Sequence, residues 1–447
     1  MRIKAHKMIT KKIVFFLLLI GFQLSAQSKK WTLEECVDYA IKNNISIKQS
    51  ELDLKTSNID KLEAIGGFLP TLTANANYSV NTGASINPVT NQFQNQTFKS
   101  FSASANSGIM LFNGLANWKT LQRAKLNKIA NTYRLDKMKD DIALSIANSY
   151  LQILFNKEQL KVQKNQNLVT KENIKRTQEL IEAGSLPAGD IYELQATDAT
   201  QEQQIISTEN ALLISKVALC QTLLLEDYAT FDISDEVIDL PISNITNETQ
   251  ETILAKAKES VKDVKIALSN VDVAKKDVSI SRSSYLPTLT GFVGYNTRWS
   301  ESTPFNFADQ LSLFDGTAVG LQLSVPILNG FATRGRVQRA KINQERSEFQ
   351  LKQAELDLER NVYQAYNDVI NAKKSFDAAQ KTLEARKQSF NFSKERYEVG
   401  LMNSFDFSQS TIAYENAQSE VLRTKYDYIF RTKILEFYFG IPLIKKQ

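Results

Sequence analysis

Few residues in this 447-residue chain could carry covalent or acid–base chemistry. The one histidine, His6, lies in a basic and apolar N-terminal stretch that reads as cleaved, which removes Ser-His and Cys-His nucleophile pairs and His-ligated metal sites. Carboxylate or Lys chemistry is what remains. Asp190 and Glu193 could share acid–base work, but in a chain with 49 acidic residues they read as part of a solvated helix face. Gly184 and Gly189 have the spacing of a phosphate loop, yet Asp190 and Ile191 stand where that loop needs Lys and Ser or Thr, and helical sequence precedes them. Cys36 and Cys220 are either bridged in an oxidising compartment or two buried apolar side chains, and the second reading is preferred. No catalytic, cofactor-binding or metal-ligating residue is assigned.

Arg2, Lys4, Lys7, Lys11 and Lys12 precede the apolar run 13–20, and LSAQ closes the segment at Ala26. Residues 1–26 therefore read as a secretory signal peptide. The run is shorter than the roughly 20 residues a spanning helix needs, and no later segment comes close. Those five cations account for the whole formal charge of +5, leaving 49 Lys and Arg against 49 Asp and Glu. A neutral exported chain has no electrostatic footprint for nucleic acid.

The elements that follow are written twice. LPTLT occurs at Leu69–Thr73 and again at Leu286–Thr290; LFNGLANWKTLQRAKLN at 111–127 matches ILNGFATRGRVQRAKIN at 327–343; IEAGSLPAGDI at 181–191 matches YEVGLMNSFDF at 397–407. Three words at nearly one offset indicate an internal duplication, with repeats at 27–240 and 241–447. No Pro or Gly occurs between Leu115 and Ala183 or between Arg336 and Val399, so each repeat holds a helix of roughly 100 Å at about 1.5 Å per residue. In the second, Leu351, Ala354, Leu358, Val362, Ala365, Val369, Ala372, Phe376, Ala379 and Leu383 step by three and four almost throughout, a coiled-coil seam.

Gly184 and Gly400 turn each long helix back as a hairpin, with further helical runs at 191–226 and 407–439. Helical runs at 33–62 and 253–281 precede the LPTLT words, the first opening on a Thr32/Glu35 capping box. After Pro70 and Pro287, residues tolerated where a helix ends and a strand begins, the periodicity falls to two. Strands of around ten residues are predicted at 71–80, 100–111, 289–295 and 319–327, joined by polar loops 81–99 and 298–315. Tyr295 and Trp299 fit either an interfacial aromatic belt or ordinary loop packing.

Four alternating strands of this length suit a transmembrane β-barrel but cannot close one alone. Several copies must then share a barrel. Three would give twelve strands, with the helices wound into a tube.

The repeat order, from WTLEECVDYAIKNN to the C-terminus, resembles the TolC-like outer-membrane efflux proteins. The resemblance implies a mainly α fold with a small β part, a homotrimer with a helical periplasmic barrel on a twelve-stranded outer-membrane barrel in lipid. It implies partners as well: a periplasmic adaptor and an inner-membrane RND or ABC pump. By the same resemblance Gly184, Ser185, Asp190, Val399, Gly400 and Leu401 form adaptor-docking hairpin tips, and Tyr397 and Asp406 line the periplasmic aperture. Met402 and Gln409 stand where the family has an Arg and a second Asp. The expected function is passive export of small molecules or polypeptides, without catalysis. A soluble periplasmic coiled-coil scaffold or adaptor is the alternative, and a His-free hydrolase a third class.

Overall fold

The computed structural model describes residues 30–86, 91–235 and 244–441; the signal segment and His6 lie outside them. The first repeat runs β1 (Lys30–Trp31), α1 (Leu33–Asn43), α2 (Ile45–Gly66), β2 (Thr71–Ile86), β3 (Phe93–Asn113), α3 (Ala116–Glu182) and α4 (Asp190–Leu223). The remainder runs β4 (Asp232–Ile233), α5 (Gln250–Ser260), α6 (Lys262–Ser283), β5 (Thr288–Ser300), α7 (Phe307–Leu313), β6 (Gly316–Ser324), α8 (Ala332–Glu398) and α9 (Ser404–Phe439). Both long helices, α3 and α8, have 67 residues.

The Thr32/Glu35 capping box is present, Thr32 Oγ1 accepting from Glu35 N–H and Glu35 Oε2 from Thr32 N–H. The single helical runs expected ahead of each LPTLT word are instead two helices each, broken at Asn44 and Val261. Asn44 has φ −58° and ψ 134° and Val261 φ −72° and ψ 136°, an extended residue that ends one helix and starts the next. Asn44 Oδ1 accepts from Ser46 N–H at 2.9 Å, whereas Val261 offers no side-chain cap. A one-residue break of this kind leaves the apolar periodicity almost untouched, so it is invisible to a pattern reading.

The chain divides into two compact units, each assembled from segments of both repeats. One comprises Met1–Ile47, Lys139–Ala257 and Asn361–Gln447. Its core joins Cys36, Val37 and Ala40 of α1 to Ile146, Tyr150 and Ile153 of α3, Leu219 and Cys220 of α4, and Ile429 of α9. Cys36 and Cys220 are buried there without a disulfide, and burial pushes the Cys220 thiol up to about 11. Over this core β1 and β4 pair in parallel, tying Lys30–Trp31 to the segment after α4, and Lys157 of α3 bonds that segment at Asp232, 2.8 Å, and Asp235, 2.7 Å. Of the heptad positions of α8, those from Leu358 through Val362, Val369 and Phe376 to Ala379 are buried, while Leu351, Ala354 and Leu383 at the two ends of the seam are only half-buried.

The other unit comprises Lys48–Met138 and Lys258–Arg360. Within it α3 is linked to α6 by Arg123–Asp277 at 2.6 Å, Lys276–Gln122 at 2.8 Å and Lys119–Ser283 at 2.9 Å, and to α2 through Asn131 and Ser57. Its sheet is antiparallel throughout, in the order β2-β3-β5-β6. Among the described residues, β2 and β6 have no partner on their outer edges.

The register sorts the two faces. One side carries the rows Leu72, Ser107, Val293, Val319 and Ala74, Ala105, Tyr295, Thr317, then Tyr78, Phe101, Trp299; the other carries Thr73, Asn75, Asn77 and Ser79 beside Asn106, Ser104, Ser102 and Ser100. The strands of the first hairpin are longer than expected, and 81–86 and 93–99 are paired strand where a loop was read. Polar and apolar side chains are mixed on both faces there, Thr82 bonding Thr97 at 2.9 Å beside the Ile86–Phe93 pair on one face and Phe98 standing on the other, so backbone pairing continues where the alternation that reports a half-apolar environment has stopped. In the second hairpin β6 ends at Ser324, before Val325 and Ile327, because Pro326 follows. The loop expected there contains α7.

Pro70 and Pro287 do sit between helix and strand, each after a turn of matching bonds: Leu69 N–H to Gly66 O, and Leu286 N–H to Ser283 O. At the opposite corners, where strand returns to helix, Gly114–Leu115 and Gly330–Phe331 take left-handed pairs with φ 67°, 64°, 58° and 65°. The two glycines differ in surroundings. A Cβ on Gly114 would lie 2.7 Å from Ser283 O and 2.9 Å from Leu286 Cβ; one on Gly330 would meet nothing within 4 Å. Gly330→Ala is expected to cost about 1 kcal/mol, the left-handed penalty alone, and Gly114→Ala distinctly more. Thermal unfolding of the two variants in detergent checks this, and equal midpoints would show that the Ser283 contact relaxes freely.

Candidate functional site

The residues singled out at the hairpin turns all fall in one unit, where α3, α4, α8 and α9 end. The two turns are built alike. Gly184 and Gly400 both have φ 73°. Ser185 N–H donates to Leu180 O and Gly184 N–H to Ile181 O; Leu401 N–H donates to Arg396 O and Gly400 N–H to Tyr397 O. This paired closure satisfies the last helical carbonyls and requires a left-handed residue at the glycine.

The turns differ in how the returning helix starts. Gly189 precedes Asp190 without a side-chain cap, whereas Asn403 Oδ1 accepts from Asp406 N–H at 2.8 Å and its Nδ2 donates to Asp406 Oδ2 at 3.0 Å. Asp406 is thus an exposed carboxylate at the positive end of α9, held by the cap. Asn followed by Asp three residues on is a helix-start signal, and it could have been found in the sequence.

Tyr397 is buried, stacked on Phe407 at 4.6 Å with an interplanar angle of 5°, and its hydroxyl lies 2.8 Å from Thr177 Oγ1. Leu194 completes this cluster and Met402 packs against it with Phe390 and Leu186. Met402 therefore extends the apolar cluster at the position where the family resemblance leads one to expect Arg. Arg176 of α3 pairs with Glu398 of α8 at 2.9 Å. Val399 and Leu401 remain 68% and 70% exposed, so the second tip offers bare apolar surface.

Away from the tip the helices meet through polar side chains. Thr197 bonds Ser408 at 2.9 Å, Gln201 bonds Glu415 at 2.8 Å, Gln166 bonds Gln418 at 2.6 Å and Gln159 bonds Ser419 at 2.8 Å. Sequence reading missed these pairs because Gln, Thr and Ser on a helix look like solvated residues until the partner helix is in place. Among the described residues no group of three His, Cys, Asp or Glu side chains could hold a metal ion, and no helix is long and apolar enough to cross a membrane.

Glu415 sits beside a cleft shared with Gln163, Gln166, Glu193 and Gln201. Burial holds its carboxyl above the usual Glu range, and the Gln201 hydrogen bond offsets this only in part. The folded protein then binds this proton more tightly than the unfolded chain. The cost of the ion is present at neutral pH and is relieved as pH falls through the raised value. Glu415→Gln is expected to raise the unfolding midpoint near neutral pH and to flatten its rise on acidification. An unchanged midpoint and pH profile would show that the carboxylate keeps its hydration.

Comparison with known proteins follows the same repeat. Residues 36–223 and 253–439 match the model of the outer membrane efflux protein family. The matches begin at Cys36 and Ile253, the interval that also separates Leu69 from Leu286. The chain is similar to the proteases secretion protein PrtF of Dickeya chrysanthemi, 22% identical over 88% of this chain and 84% of that one. It is likewise 22% identical to the outer membrane protein TolC of Escherichia coli, over 92% of this chain and 83% of that one. The crystal structure of the outer membrane protein VceC of Vibrio cholerae superposes with a TM-score of 0.75 at 15% identity, covering 91% of this chain and 96% of VceC. With the family model covering both repeats, the chain belongs to the outer membrane efflux protein family, as an outer-membrane channel-tunnel for efflux and secretion whose helical part projects into the periplasm.

Proposed function

We propose that three copies of this chain close one twelve-stranded barrel and form a passive conduit, without catalysis of its own, for small molecules or polypeptides delivered by a periplasmic adaptor and an inner-membrane RND or ABC pump. The observation that carries this is the sheet: one continuous apolar face, one polar face and two bare edges. In hydrocarbon an unpaired strand edge leaves backbone groups without partners, so β2 of one copy needs β6 of the next. The apolar band runs along β5 from Leu289 to Trp299, about 33 Å of strand at about 3.3 Å per residue and about 25 Å in height at the usual tilt.

Helical surfaces in the same unit support a head-to-tail closure. The chain enters the sheet at β2 from α2 and leaves at β6 into α8. On α2, Leu52 and Ile59 are exposed; on α8, Ile342, Phe349 and Leu356 are exposed. Both stripes repeat every seven residues, as two different faces of a cyclic interface would.

The tips are the adaptor-docking surface in this reading, through Gly184, Ser185, Asp190, Val399, Gly400 and Leu401. Exposed Val399 and Leu401 provide apolar anchors on a backbone fixed by the two glycine turns. Asp406 contributes its carboxylate to the aperture. Tyr397 stays within its own chain, holding the tip from beneath, and with Met402 in place of a cation the aperture lacks an Arg-based latch at that position.

Protein extracted in detergent from isolated outer membranes is expected to have a light-scattering mass near three chains once detergent is subtracted. A soluble monomer absent from that fraction would replace this reading with a periplasmic scaffold. Leu401→Asp is expected to abolish cross-linking to the adaptor, and Asp406→Ala to weaken block of single channels by multivalent cations. Unaltered cross-linking would move docking off the tip, and unaltered block would remove Asp406 from the aperture.

A further inference from the structure

The β5–β6 connection does not simply cross the barrel rim. Its helix α7 begins at Phe307, whose ring lies 5.5 Å from that of Phe101 and 5.6 Å from that of Trp299. Both partners belong to the apolar face, in the row with Tyr78. The helix is held there by polar pins. Thr297 Oγ1 donates to Leu311 O at 2.7 Å. Gln310, fully buried, accepts from Ser300 N–H at 2.8 Å and donates to Ser300 O at 2.9 Å and Phe305 O at 2.7 Å.

Immediately beyond the aromatic row the face turns charged. Lys99 Nζ lies 3.4 Å from Glu301 Oε1, and Glu301 N–H donates to Lys99 O at 2.8 Å. That pair, followed by the Thr82–Thr97 row, interrupts the apolar face on the side remote from α2 and α8, and apolar side chains return only with Ile86 and Phe93 at the far end of the first hairpin. The helix therefore lies against the aromatic row at which the continuous apolar band is interrupted. Phe305, Phe307 and Leu313 remain 50%, 47% and 58% exposed; Ser312 lies opposite Gln310, and the exposed Asp309 sits one turn before Leu313, at the end of α7 held by the Asn306 cap.

We infer that α7 is an interfacial anchor, with Phe305, Phe307 and Leu313 seated among the acyl chains and headgroups of the outer leaflet and Asp309 turned to water. The inference rests on the barrel reading above, because its occupant is argued from continuity: the residues under Phe307 are the last row of the continuous lipid-facing band. Aromatic rings are favoured at this depth, where one part of the side chain is apolar and the other wet. A short helix pinned by Gln310 presents such rings without exposing a strand edge. The consequence is a depth stop, fixing how far the barrel sits in the membrane from one hairpin of each copy.

The test is a nitroxide label on single cysteines at Leu313, Phe305, Asp309 and Val319, in full-length protein reconstituted into vesicles of phosphatidylethanolamine and phosphatidylglycerol. Cys36 and Cys220 are both 0% exposed and do not compete for label. Labels at Leu313 and Phe305 are expected to collide several-fold more often with oxygen, which concentrates in the bilayer, than with a water-soluble nickel chelate. The label at Asp309 should show the reverse preference. Val319, in the middle of the apolar face, reports on the barrel itself. Nickel access at Leu313 and Phe305 equal to that at Asp309, with Val319 still in lipid, overturns the anchor and leaves the conduit standing. Protection of Leu313 and Phe305 from both reagents would mean that another protein surface covers α7, which also overturns it. Nickel access at Val319 removes the barrel reading and the anchor together.

Discussion

A strand edge carries N–H and C=O groups that water satisfies for nothing and hydrocarbon does not satisfy at all. The four strands of this chain form a strip with such an edge on each side, along β2 and along β6. Almost every other feature of the unit follows from that condition. The helices leading in and out are attached to the two edge strands, and the apolar stripes left bare in a single chain lie on those helices, at Leu52 and Ile59 and at Ile342, Phe349 and Leu356. In the trimer proposed above, the surface left unfinished in one copy is the complement of the next.

Duplication supplies the corners that make this possible. Each repeat descends from helix to strand through a turn before proline and returns through a left-handed Gly–X pair, Gly114–Leu115 or Gly330–Phe331. Bulky residues at positive φ are uncommon because the conformation is costly, and finding the same cost at both corners means that the change of direction itself is what the chain must keep. The surroundings have diverged all the same. Gly114 is wedged against Ser283 and Leu286, while Gly330 is open.

The helical hairpins show a second compromise. Helices that line a water-filled tube have wet surfaces on two sides, so their mutual contacts cannot all be apolar. Around the tip an aromatic cluster of Tyr397, Phe407 and Phe390 fixes the geometry, and further along the contacts become Thr197–Ser408, Gln201–Glu415 and Gln166–Gln418. Hydrogen-bonded pairs of this kind have directional requirements that hydrophobic contacts lack, and a partner slipped by one turn leaves them unsatisfied. Register between helices is thereby specified without closing the surface to water.

The sequence by itself determined the long helices, the four strands of the sheet, their order, their duplication and the positions of the turns, because helix propensity, proline and glycine punctuation and the two periodicities are local properties of the chain; it did not place α7 within the polar loop 298–315. It determined the seam of α8 from Leu358 to Ala379 for the same reason. It did not determine where strands stop, since 81–86 and 93–99 pair through their backbones with polar and apolar side chains mixed on both faces. Nor did it reveal the helix breaks at Asn44 and Val261, single extended residues that leave the apolar periodicity almost untouched. Tertiary structure alone decided that Tyr397 is buried under the tip with Thr177, that Asp406 is engaged by Asn403, and that α7 lies on the aromatic row. These are contacts between residues distant in sequence or folded back across a cap, and their energy depends on a partner's position that no local pattern encodes.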